Sequence, residues 1–260
     1  MYVLIIANGY PTIGNRGLGI FELDQAKALK AIGCKVVYAA IDVRSVRRRR
    51  KWGYEERTID GVEIHAVNIP GGKIYPALLN RMRVAGLGYL YRRISAKHGH
   101  PDILHAHFTH QGYATLDLKE ETGIPLVVTE HSSQVNKPNI EPKLFNVARE
   151  VYNNADKVVA VSPALASNIE KQFGITPVYI PNIVDVDTFK YQPRSNADGK
   201  LRMVSTGNLI HTKRMDLTIE AFSRAFNSEP NASLTIFGDG PERKALEEQI
   251  ARLNMGGQIR

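Results

Sequence analysis

Apolar and polar positions follow two different rhythms along the chain. Short apolar runs predict buried strands, whereas apolar residues that recur every three or four positions predict helices that bury one face. In the first part of the chain, strands are predicted at residues 2–7, 35–40, 57–59, 62–67, 103–106, 126–129, 158–161 and 178–180. Helices are predicted between them at residues 21–32, 78–97, 115–122, 141–154 and 163–173. This alternation favours an α/β fold with a mostly parallel sheet.

Turn and cap residues mark the borders of several of these elements. Asp60-Gly61 lies between two predicted strands and is typical of a type I′ hairpin turn. Ser162-Pro163 provides the preferred residues for the cap and the first position of a helix. Gly86 interrupts the helix predicted at residues 78–97, so the continuity of that helix stays open.

The last part of the chain carries a strand–loop–helix unit with a lysine in its loop. Residues 203–206 predict a buried strand that Gly207 ends, and a helix is predicted to begin at Lys213. The apolar face of that helix lies at Met215, Ile219, Phe222 and Phe226. A helix start presents unpaired N–H groups, and with a lysine beside it suits an anion, most often a phosphate. An ordinary unit with a solvated lysine explains the pattern equally well.

A second unit of the same kind follows at once. Residues 233–237 predict a strand, and Gly238-Asp239-Gly240 predicts a tight turn. Pro241 is typical of the first position of a helix, because its missing N–H is not needed there. The apolar face of this helix is predicted at Leu246, Ile250 and Leu253.

The composition indicates a protein of one or two domains in a reducing compartment. The chain has 260 residues, of which 43% are apolar, enough for a substantial core. Its one cysteine, Cys34, cannot form an internal disulfide. The first predicted strand lacks the basic leader of a signal peptide, and no apolar run reaches the length of about 18 residues needed for a membrane span. We therefore expect a cytoplasmic protein.

The net charge of +8 comes largely from basic residues at positions 44–51 and further on at Arg81, Arg83, Arg92, Arg93 and Lys97. Such a surface suits nucleic acid, an anionic membrane or a phosphorylated substrate. Nucleic acid is not expected, because the chain lacks interleaved stacking aromatics. Peripheral contact with the inner face of the cytoplasmic membrane is the better expectation, since each basic residue near anionic lipid gains about 1 kcal/mol. An ordinary solvated loop is equally compatible.

Two short motifs resemble a metal site and a dinucleotide-binding loop, but their residues or spacing do not fit either kind of site. His105, His107 and His110 lie close together, but no cysteine follows and the next carboxylate is Asp117, so we expect no metal there. The glycines of the first loop do not form the G-x-G-x-x-G fingerprint of dinucleotide binding. This disfavours a dehydrogenase, although Asp42 lies near the position of its acidic residue.

Several stretches resemble glycosyltransferase family 4, both in their residue patterns and in their order along the chain. G-N-L-x-x-x-K at residues 207–213, the tripeptide E-A-F, and L-x-I-x-G-D-G-P-E at residues 234–242 are similar to its donor-binding half. Earlier similar stretches are N-G-Y-P, G-I-F, H-A-H-F, P-L-V-V-T-E-H and I-P-N-I-V-D. The family has the GT-B fold. The resemblance therefore implies a Rossmann-like acceptor-side domain at 1–189, a linker at 190–200 and a partial Rossmann-like nucleotide-sugar-binding domain at 201–260.

The resemblance also implies roles for individual residues. The implied donor-binding residues are Gly19, Gly207, Asn208, Lys213, Gly238 and Gly240. The implied acceptor-binding residues are His107, His110 and His131. The implied catalytic residues are His131 and Lys213. His131 is also compatible with a plain structural bond to its loop. The chain departs from the family at Asn208, where an arginine is frequent, and at Arg214, where a glycine is frequent.

The activity implied by the resemblance is sugar transfer, with retention, from a nucleotide-diphosphate sugar to a saccharide or lipid-linked acceptor in polysaccharide or glycolipid synthesis. No metal is expected, because cationic groups and amides can stabilise the leaving diphosphate. Asp185-Val186-Asp187 has a metal-binding D-x-D form, but we interpret it as structural. The alternatives are a GT-B-fold nucleotide-sugar epimerase and a non-catalytic binding fragment. Since the family's glutamate pair and final helix are not encoded, we expect the chain to be incomplete and inactive.

Overall fold

The computed structural model describes residues 1–15, 17–45, 51–71, 75–191, 193 and 198–260. Most of the basic run at 44–51 and part of the predicted linker at 190–200 therefore lie outside the described residues. The chain divides into two compact units, Met1–Phe189 and Lys190–Arg260, and each is described by itself.

The first unit alternates strands and helices. Its strands are β1 (Tyr2–Ala7), β2 (Lys35–Ser45), β3 (Gly53–Ile59), β4 (Val62–Gly71), β5 (Ile103–His107), β6 (Leu126–Glu130), β7 (Lys157–Ala160) and β8 (Val178–Tyr179). Its helices are α1 (Ile20–Ala31), α2 (Pro76–His98), α3 (Thr109–Thr122), α4 (Pro142–Asn154) and α5 (Pro163–Phe173).

The strands of the first unit form one sheet in the order β3-β4-β2-β1-β5-β6-β7-β8. Neighbouring strands pair in parallel, except that β3 and β4 pair antiparallel with Ile59 opposite Val62. Asp60 (φ 48°) and Gly61 (φ 76°) form the turn between them, and both have the positive φ that a type I′ turn requires. The predictions of an α/β fold and of this hairpin are confirmed.

Apolar side chains cover both faces of this sheet. Consecutive strand residues point to opposite faces, so Leu4 and Ile5 of β1 belong to different cores. Leu4 packs in the core that α2 contributes to through Ile94. Ile5 packs in the core that α1 contributes to through Leu23. Burial on both faces explains why the strands are almost continuous apolar runs.

Several strands and helices of the first unit continue further than predicted, among them β3, β4, β2 and α2. β2 extends to Ser45, so Asp42 lies within the strand and not past its end. α2 runs without interruption through Gly86, where an added Cβ atom would lie 3.1 Å from the Ile41 side chain. The glycine therefore lets the helix pack closely on the sheet instead of breaking it.

The helix α3 begins at Thr109 and not at residue 115 as predicted. Its early turns contain Gly112, whose low helix propensity obscured this part of the pattern. An added Cβ atom at Gly112 would lie 2.6 Å from the Val151 side chain, so a small residue lets α3 and α4 approach each other closely.

The second unit is smaller, and its sheet has two strands among the described residues. It contains β9 (Leu201–Thr206), β10 (Ala232–Phe237), α6 (Met215–Phe226), α7 (Arg243–Arg252) and a 3₁₀ turn (His211–Lys213). The two strands pair in parallel. One core joins the sheet to both helices and includes Met215, Ile219, Phe222, Leu234 and Leu246.

Three predictions for the second unit are wrong in detail. The strand β9 is not fully buried, since Val204 is 62% exposed. The helix α6 begins at Met215, so Lys213 belongs to the preceding 3₁₀ turn and not to the helix start. The helix α7 begins at Arg243, and Pro241 lies in the turn before it.

Candidate functional site

Polar side chains gather where three central strands of the first unit end. The strands β5, β1 and β6 lie in one parallel region of the sheet, so their carboxyl ends meet at one edge. We call the polar residues there the strand-end cluster: Asn8, His105, His107, Glu130 and His131. Ligands of open α/β sheets bind beyond this kind of edge.

Glu130 fixes the backbone around the strand-end cluster. Its carboxylate is fully buried, and one oxygen accepts hydrogen bonds from the Thr109 N–H and hydroxyl at 3.0 and 2.5 Å and from the Tyr152 hydroxyl at 2.8 Å. The other oxygen accepts from the backbone N–H groups of His131 and Ser132 at 3.0 and 2.8 Å. This one carboxylate therefore connects α3, α4 and the loop that carries His131.

Three histidine rings stack in a row in the strand-end cluster. The ring centres of His105 and His107 are 4.6 Å apart, and those of His107 and His131 are 5.2 Å apart. A hydrogen bond of 3.0 Å joins His107 Nδ1 to His131 Nε2. His105 Nε2 lies 2.8 Å from the Thr129 hydroxyl. His105 and His107 therefore share one face of β5, as their spacing predicts.

Burial keeps these three histidines neutral. It lowers the pKa of His105 and the pKa of His131 from 6.5 to about 4, and it lowers the pKa of His107 well below its usual value. Neighbouring histidines add to the lowering of the pKa at His105 and His107, whereas the Asn182 side chain opposes it at His131. At neutral pH each ring therefore offers one donor nitrogen and one acceptor nitrogen.

Several polar atoms at this edge are buried without a hydrogen-bond partner among the described residues. They include His107 Nε2, His131 Nδ1 and Gln111 Oε1. The amide nitrogen of Gln111 donates to the Asn8 side chain at 2.6 Å. A buried polar atom left unpaired costs about 1–3 kcal/mol, so these atoms mark a place where a polar ligand or ordered water completes the site.

Two phenylalanines flank His131. Phe21 is 48% exposed and stacks on the His131 ring with 5.9 Å between centres. The Phe108 ring centre lies 4.9 Å from that of His131. Phe108 has φ 68° and ψ 151°, a conformation that is nearly restricted to glycine and costs about 1–3 kcal/mol. Its N–H donates to the Thr129 carbonyl at 2.8 Å, which helps to hold the strained backbone beside His131.

Gly19 closes the loop that follows β1 and starts α1. Its φ is 68°, and an added Cβ atom would lie 2.3 Å from the carbonyl oxygen of Gly9. The buried Tyr38 hydroxyl donates to the same carbonyl at 2.7 Å. Glycine is thus required at position 19 for the two ends of the loop to meet. The implied contact of Gly19 with a donor stays a prediction.

His110 lies apart from the strand-end cluster. It is in the first turn of α3, is exposed, and lines a groove together with Arg83 of α2 and Glu141 at the start of α4. Of the implied acceptor residues, His110 therefore faces this groove, whereas His107 is completely buried and bonds to His131.

The carboxylate of Asp185 caps a turn. It accepts from the Asp187 N–H at 2.9 Å, from the Thr188 N–H at 3.2 Å and from the Thr188 hydroxyl at 2.7 Å. The Thr188 hydroxyl, followed by the two N–H groups, lowers the pKa of Asp185. These bonds agree with the structural interpretation of the D-x-D motif.

In the second unit, two glycine-containing loops join beyond the carboxyl ends of β9 and β10. We call residues 207–209 and 238–240 the paired glycine loops. The Leu209 N–H donates to the Asp239 carbonyl at 2.9 Å. An added Cβ atom at Gly238 would lie 2.0 Å from the Gly207 oxygen, and one at Gly240 would lie 2.4 Å from the Leu209 oxygen. Only glycine at 238 and 240 permits this contact between backbones.

Polar side chains around the paired glycine loops are exposed. Asn208 and Lys213 are both exposed, and an added Cβ atom at Gly207 would lie 3.9 Å from Lys213 Cγ. Arg214 has φ 50°, which explains why a glycine suits its position. Its guanidinium pairs with Asp216 at 2.7 Å, and this bond lowers the pKa of Asp216 to about 2. Arg214 is thus engaged within its own turn.

Comparison with known families decides the class of this chain. The family model described as Glycosyltransferase Family 4 matches residues 16–188, and the model described as Glycosyl transferases group 1 matches residues 187–260. The chain belongs to glycosyltransferase family 4. The resemblance carried by the motifs of both units is thereby confirmed.

Curated relatives of this family-4 chain are distant. A glycogen synthase of Mycobacterium tuberculosis (strain ATCC 25618 / H37Rv) is 22% identical over 161 residues, covering 58% of this chain and 39% of the relative. A D-inositol 3-phosphate glycosyltransferase of Arthrobacter sp. (strain FB24) is 25% identical over 245 residues, covering 85% of this chain and 56% of the relative. The chain spans about half the length of the curated relatives that it matches.

A solved structure similar to this family-4 chain establishes the fold class. The catalytic domain of starch synthase IV from Arabidopsis thaliana, bound to ADP and acarbose, has a TM-score of 0.67 at 14% identity. The match covers 100% of this chain and 73% of that one. The fold is of the GT-B type, as the resemblance implies.

Sequence reasoning missed the residues that support the strand-end cluster. Glu130 is not among the predicted site residues, although a carboxylate at the end of an apolar strand is a recognisable signal. Thr109, Gln111 and Tyr152 gave no such signal, because their partners lie far away in sequence. A separate group of Glu63, His65 and His98 at the other end of the sheet was missed for the same reason.

Proposed function

We propose that this chain provides the acceptor side and part of the donor side of a glycosyltransferase that uses a nucleotide-diphosphate sugar and retains configuration. Its acceptor is a saccharide or a lipid-linked precursor of a polysaccharide or glycolipid. The observation that carries the proposal is the close contact of the paired glycine loops, with the Leu209 N–H bonded to Asp239 and Lys213 beside them.

The paired glycine loops suit the diphosphate of such a donor. Sugar transfer builds negative charge on the leaving diphosphate, and preorganised N–H groups and cations stabilise that charge. Gly207, Asn208, Gly238 and Gly240 shape a backbone surface without bulky side chains, and the Lys213 ammonium adds a positive charge. In this proposal these groups do the work of a metal, so transfer needs no metal cofactor.

The strand-end cluster suits the hydroxyl groups of a saccharide. His107 Nε2 and His131 Nδ1 are buried and lack partners among the described residues, so they can bond ligand hydroxyls. We assign His131 to both acceptor contact and catalysis, as a neutral hydrogen-bonding group next to the reacting sugar. Gly19 lies in the loop that follows β1, beside this edge, and we assign it to the donor side. His110, in its separate groove, is assigned to a more distant part of an extended acceptor.

The names of the relatives favour saccharide chemistry for the acceptor. Glycogen synthase and D-inositol 3-phosphate glycosyltransferase both name a polyhydroxylated product or acceptor. No described helix has the length and apolar character needed to cross a membrane. We propose a cytoplasmic location with peripheral contact to anionic lipid, supported by the net charge of +8, and we propose no role for nucleic acid.

A GT-B-fold nucleotide-sugar epimerase is the competing enzyme, and a non-catalytic binding fragment is the competing module. An epimerase converts its donor without a second sugar, whereas a transferase makes a new glycoside only when acceptor is present. A binding fragment binds donor without turnover. Product analysis with and without acceptor therefore separates all three.

The test of the proposal is the substitution Lys213→Ala in a full-length enzyme that contains this chain. We expect the loss of one charge-stabilising group to raise the free energy of the transition state by about 2–4 kcal/mol, which lowers kcat/KM. That is roughly a 30- to 1,000-fold decrease. Steady-state kinetics with a matched donor and acceptor measure it, and the folded state of the variant is checked by thermal unfolding.

Lys244→Ala is the matched control, because Lys244 is a 90% exposed lysine of the same unit that lies on α7. Its kcat/KM should stay within about twofold of the parent enzyme. Near-parental kcat/KM in Lys213→Ala, or equal losses in both variants, would count against the assigned role of Lys213 and against the donor site as proposed.

A further inference from the structure

A second polar cluster lies at the amino end of the sheet, away from the strand-end cluster. Glu63 and His65 occupy alternate positions near the start of β4, and His98 is the last residue of α2. Glu63 Oε1 lies 2.8 Å from His65 Nε2 and 3.0 Å from His98 Nε2. These three atoms all lie within 4.8 Å of one another. Two residues far apart in the chain thus direct imidazole nitrogens at the same carboxylate oxygen.

The spacing of these atoms is close to that of a tetrahedral zinc site. Zinc binds His nitrogen and carboxylate oxygen at about 2.0–2.2 Å, which places neighbouring ligands about 3.3 Å apart. The hydrogen bonds from Glu63 to His65 and His98 are shorter than this by only a few tenths of an ångström. An ion can therefore bind beside Glu63 with small shifts of the carboxylate, and the two imidazole nitrogens, which lie within 4.8 Å of each other, close on it. A water molecule would complete the four ligands.

The surroundings of His65 can orient it for a metal. His65 is buried, with 1% of its side chain exposed, and its Nδ1 lies 2.8 Å from the Tyr54 hydroxyl. That hydroxyl also lies 3.0 Å from a Glu56 oxygen. When Nε2 binds a metal, Nδ1 carries the proton and donates to the Tyr54 oxygen, while the Tyr54 hydroxyl donates to Glu56. Such a chain of hydrogen bonds behind a metal-bound histidine fixes its tautomer and orientation.

The charges of the cluster are balanced by a divalent cation. Glu56 and Glu63 share the Lys97 ammonium at 2.6 and 2.7 Å, so two carboxylates meet one positive charge. These three side chains alone carry a net charge of −1, and the Arg93 guanidinium lies 4.3 Å from the Tyr54 ring centre. The Lys97 side chain is 49% exposed and can turn to solvent. One divalent ion in its place brings the net charge to zero.

We propose that Glu63, His65 and His98 bind one Zn²⁺ ion. Two imidazoles and one carboxylate suit zinc, whereas Mg²⁺ prefers oxygen ligands only. The ion ties the β3–β4 hairpin to the end of α2, so its role is structural. It is independent of the transfer reaction proposed for the strand-end cluster and the paired glycine loops.

The test is zinc titration of the untagged, metal-free 260-residue chain by isothermal calorimetry. We expect one Zn²⁺ per chain, no comparable binding of Mg²⁺, and a rise in Tm of about 5 °C at a free Zn²⁺ concentration of 100 times Kd. Co²⁺ in place of zinc should give the visible absorption of a tetrahedral site. His98→Gln and Glu63→Gln should each weaken binding by more than about tenfold, since even supporting residues of metal sites contribute that much.

His100→Gln is the matched control, because His100 bonds to the Tyr91 hydroxyl at 2.8 Å and does not belong to the cluster. It should bind zinc like the parent chain, and Lys97→Ala should bind it more tightly because a competing cation is gone. His98 and Glu63 are partly exposed, so their variants should fold as judged by circular dichroism. Absence of binding in the parent chain, equal binding in His98→Gln and His100→Gln, or weaker binding in Lys97→Ala would overturn the proposal.

Discussion

The two units of this chain hold their candidate functional groups in opposite ways. In the first unit, buried side chains do so: Glu130 accepts five hydrogen bonds, and His107 is completely buried. In the second unit, backbone does so: the paired glycine loops bond to each other, and Lys213 is exposed. A rigid set of neutral hydrogen-bonding groups suits the recognition of hydroxyls, whereas a backbone surface without bulky side chains and an exposed cation suit a diphosphate.

The sheets of the two units also differ in how many of their faces are buried. Cores cover both faces of the first sheet. In the second unit, the described core lies on one face, and the other face leaves Val204 62% and Phe237 59% exposed. Because stability comes mainly from burial, we expect the first unit to tolerate strain such as that at Phe108, and the second to depend on fewer contacts.

The largest effect that we expect is the loss of the buried carboxylate in Glu130→Ala. Removal leaves the Tyr152 hydroxyl, the Thr109 groups and two N–H groups without their acceptor, so the first unit should lose at least about 3 kcal/mol of unfolding free energy. Chemical denaturation measures this loss, with unfolding monitored by the fluorescence of the tyrosine-rich first unit. Glu141→Ala is a control, since it removes only an exposed helix cap whose carboxylate bonds to Leu144 N–H, at a cost of about 1 kcal/mol.

An equal loss in Glu130→Ala and Glu141→Ala would show that the hydrogen bonds of Glu130 are replaced by water. In that case the strand-end cluster would not be held rigidly, and the contrast with the paired glycine loops of the second unit would fail.

A smaller effect should appear in the pH dependence, which we expect to reside in the first unit. Burial raises the pKa of Glu22 from 4.5 to about 7. The folded chain therefore holds the neutral carboxyl more readily than the unfolded chain does. The stability that this provides is complete below pH 4.5 and is lost as the pH rises through 7. The pKa of His105 and that of His131 are lowered to about 4. The unfolded chain therefore binds more protons than the folded chain between about pH 4 and 6.5, and stability falls on acidification through that window.

Glu22→Gln tests the alkaline side of this profile. The variant should be more stable than the parent chain at pH 8 by about 1–3 kcal/mol and nearly equal to it at pH 4.5. Glu121→Gln, at an exposed position of α3, should change neither value. Urea unfolding at both pH values gives the comparison. A Glu22→Gln chain that is no more stable at pH 8 would mean that Glu22 reaches solvent when ionised.

The fold could be predicted from the sequence wherever local patterns determine it. The apolar runs located the strands of the first unit, and Asp60-Gly61 specified its hairpin turn. The pattern failed at α3, because Gly112 lowers helix propensity while serving contact with Val151. It also failed at β9, since an apolar strand is equally compatible with one covered face or two.

The candidate site was only partly predictable, for a different reason. His107 and His131 could be named because the family motifs include them, and both lie in the strand-end cluster. His110 belongs to the same motif region, but a helix beginning at Thr109 turns it to another surface. Two hydrogen bonds of the site join distant parts of the chain: Tyr152 bonds to Glu130, and Gln111 bonds to Asn8. A local sequence pattern cannot predict such bonds.

The smallest effect that we expect is that of Val204→Thr, which forms a matched pair with Val3→Thr and so compares the two sheets directly. Val3→Thr places a hydroxyl in the core of the first unit, where Val3 is 2% exposed, and should cost about 1–3 kcal/mol. Val204→Thr makes the same change on β9, where the valine is 62% exposed, and should stay within about 0.5 kcal/mol. Hydrogen exchange read separately from peptides of each unit measures both. Val3→Thr should speed exchange in the first unit, including β1 and its neighbours β2 and β5, whereas Val204→Thr should leave both units unchanged. If Val204→Thr destabilises the second unit as much as Val3→Thr destabilises the first, the outer face of β9 is covered in solution, and the contrast between a sheet buried on both faces and one buried on a single face does not hold.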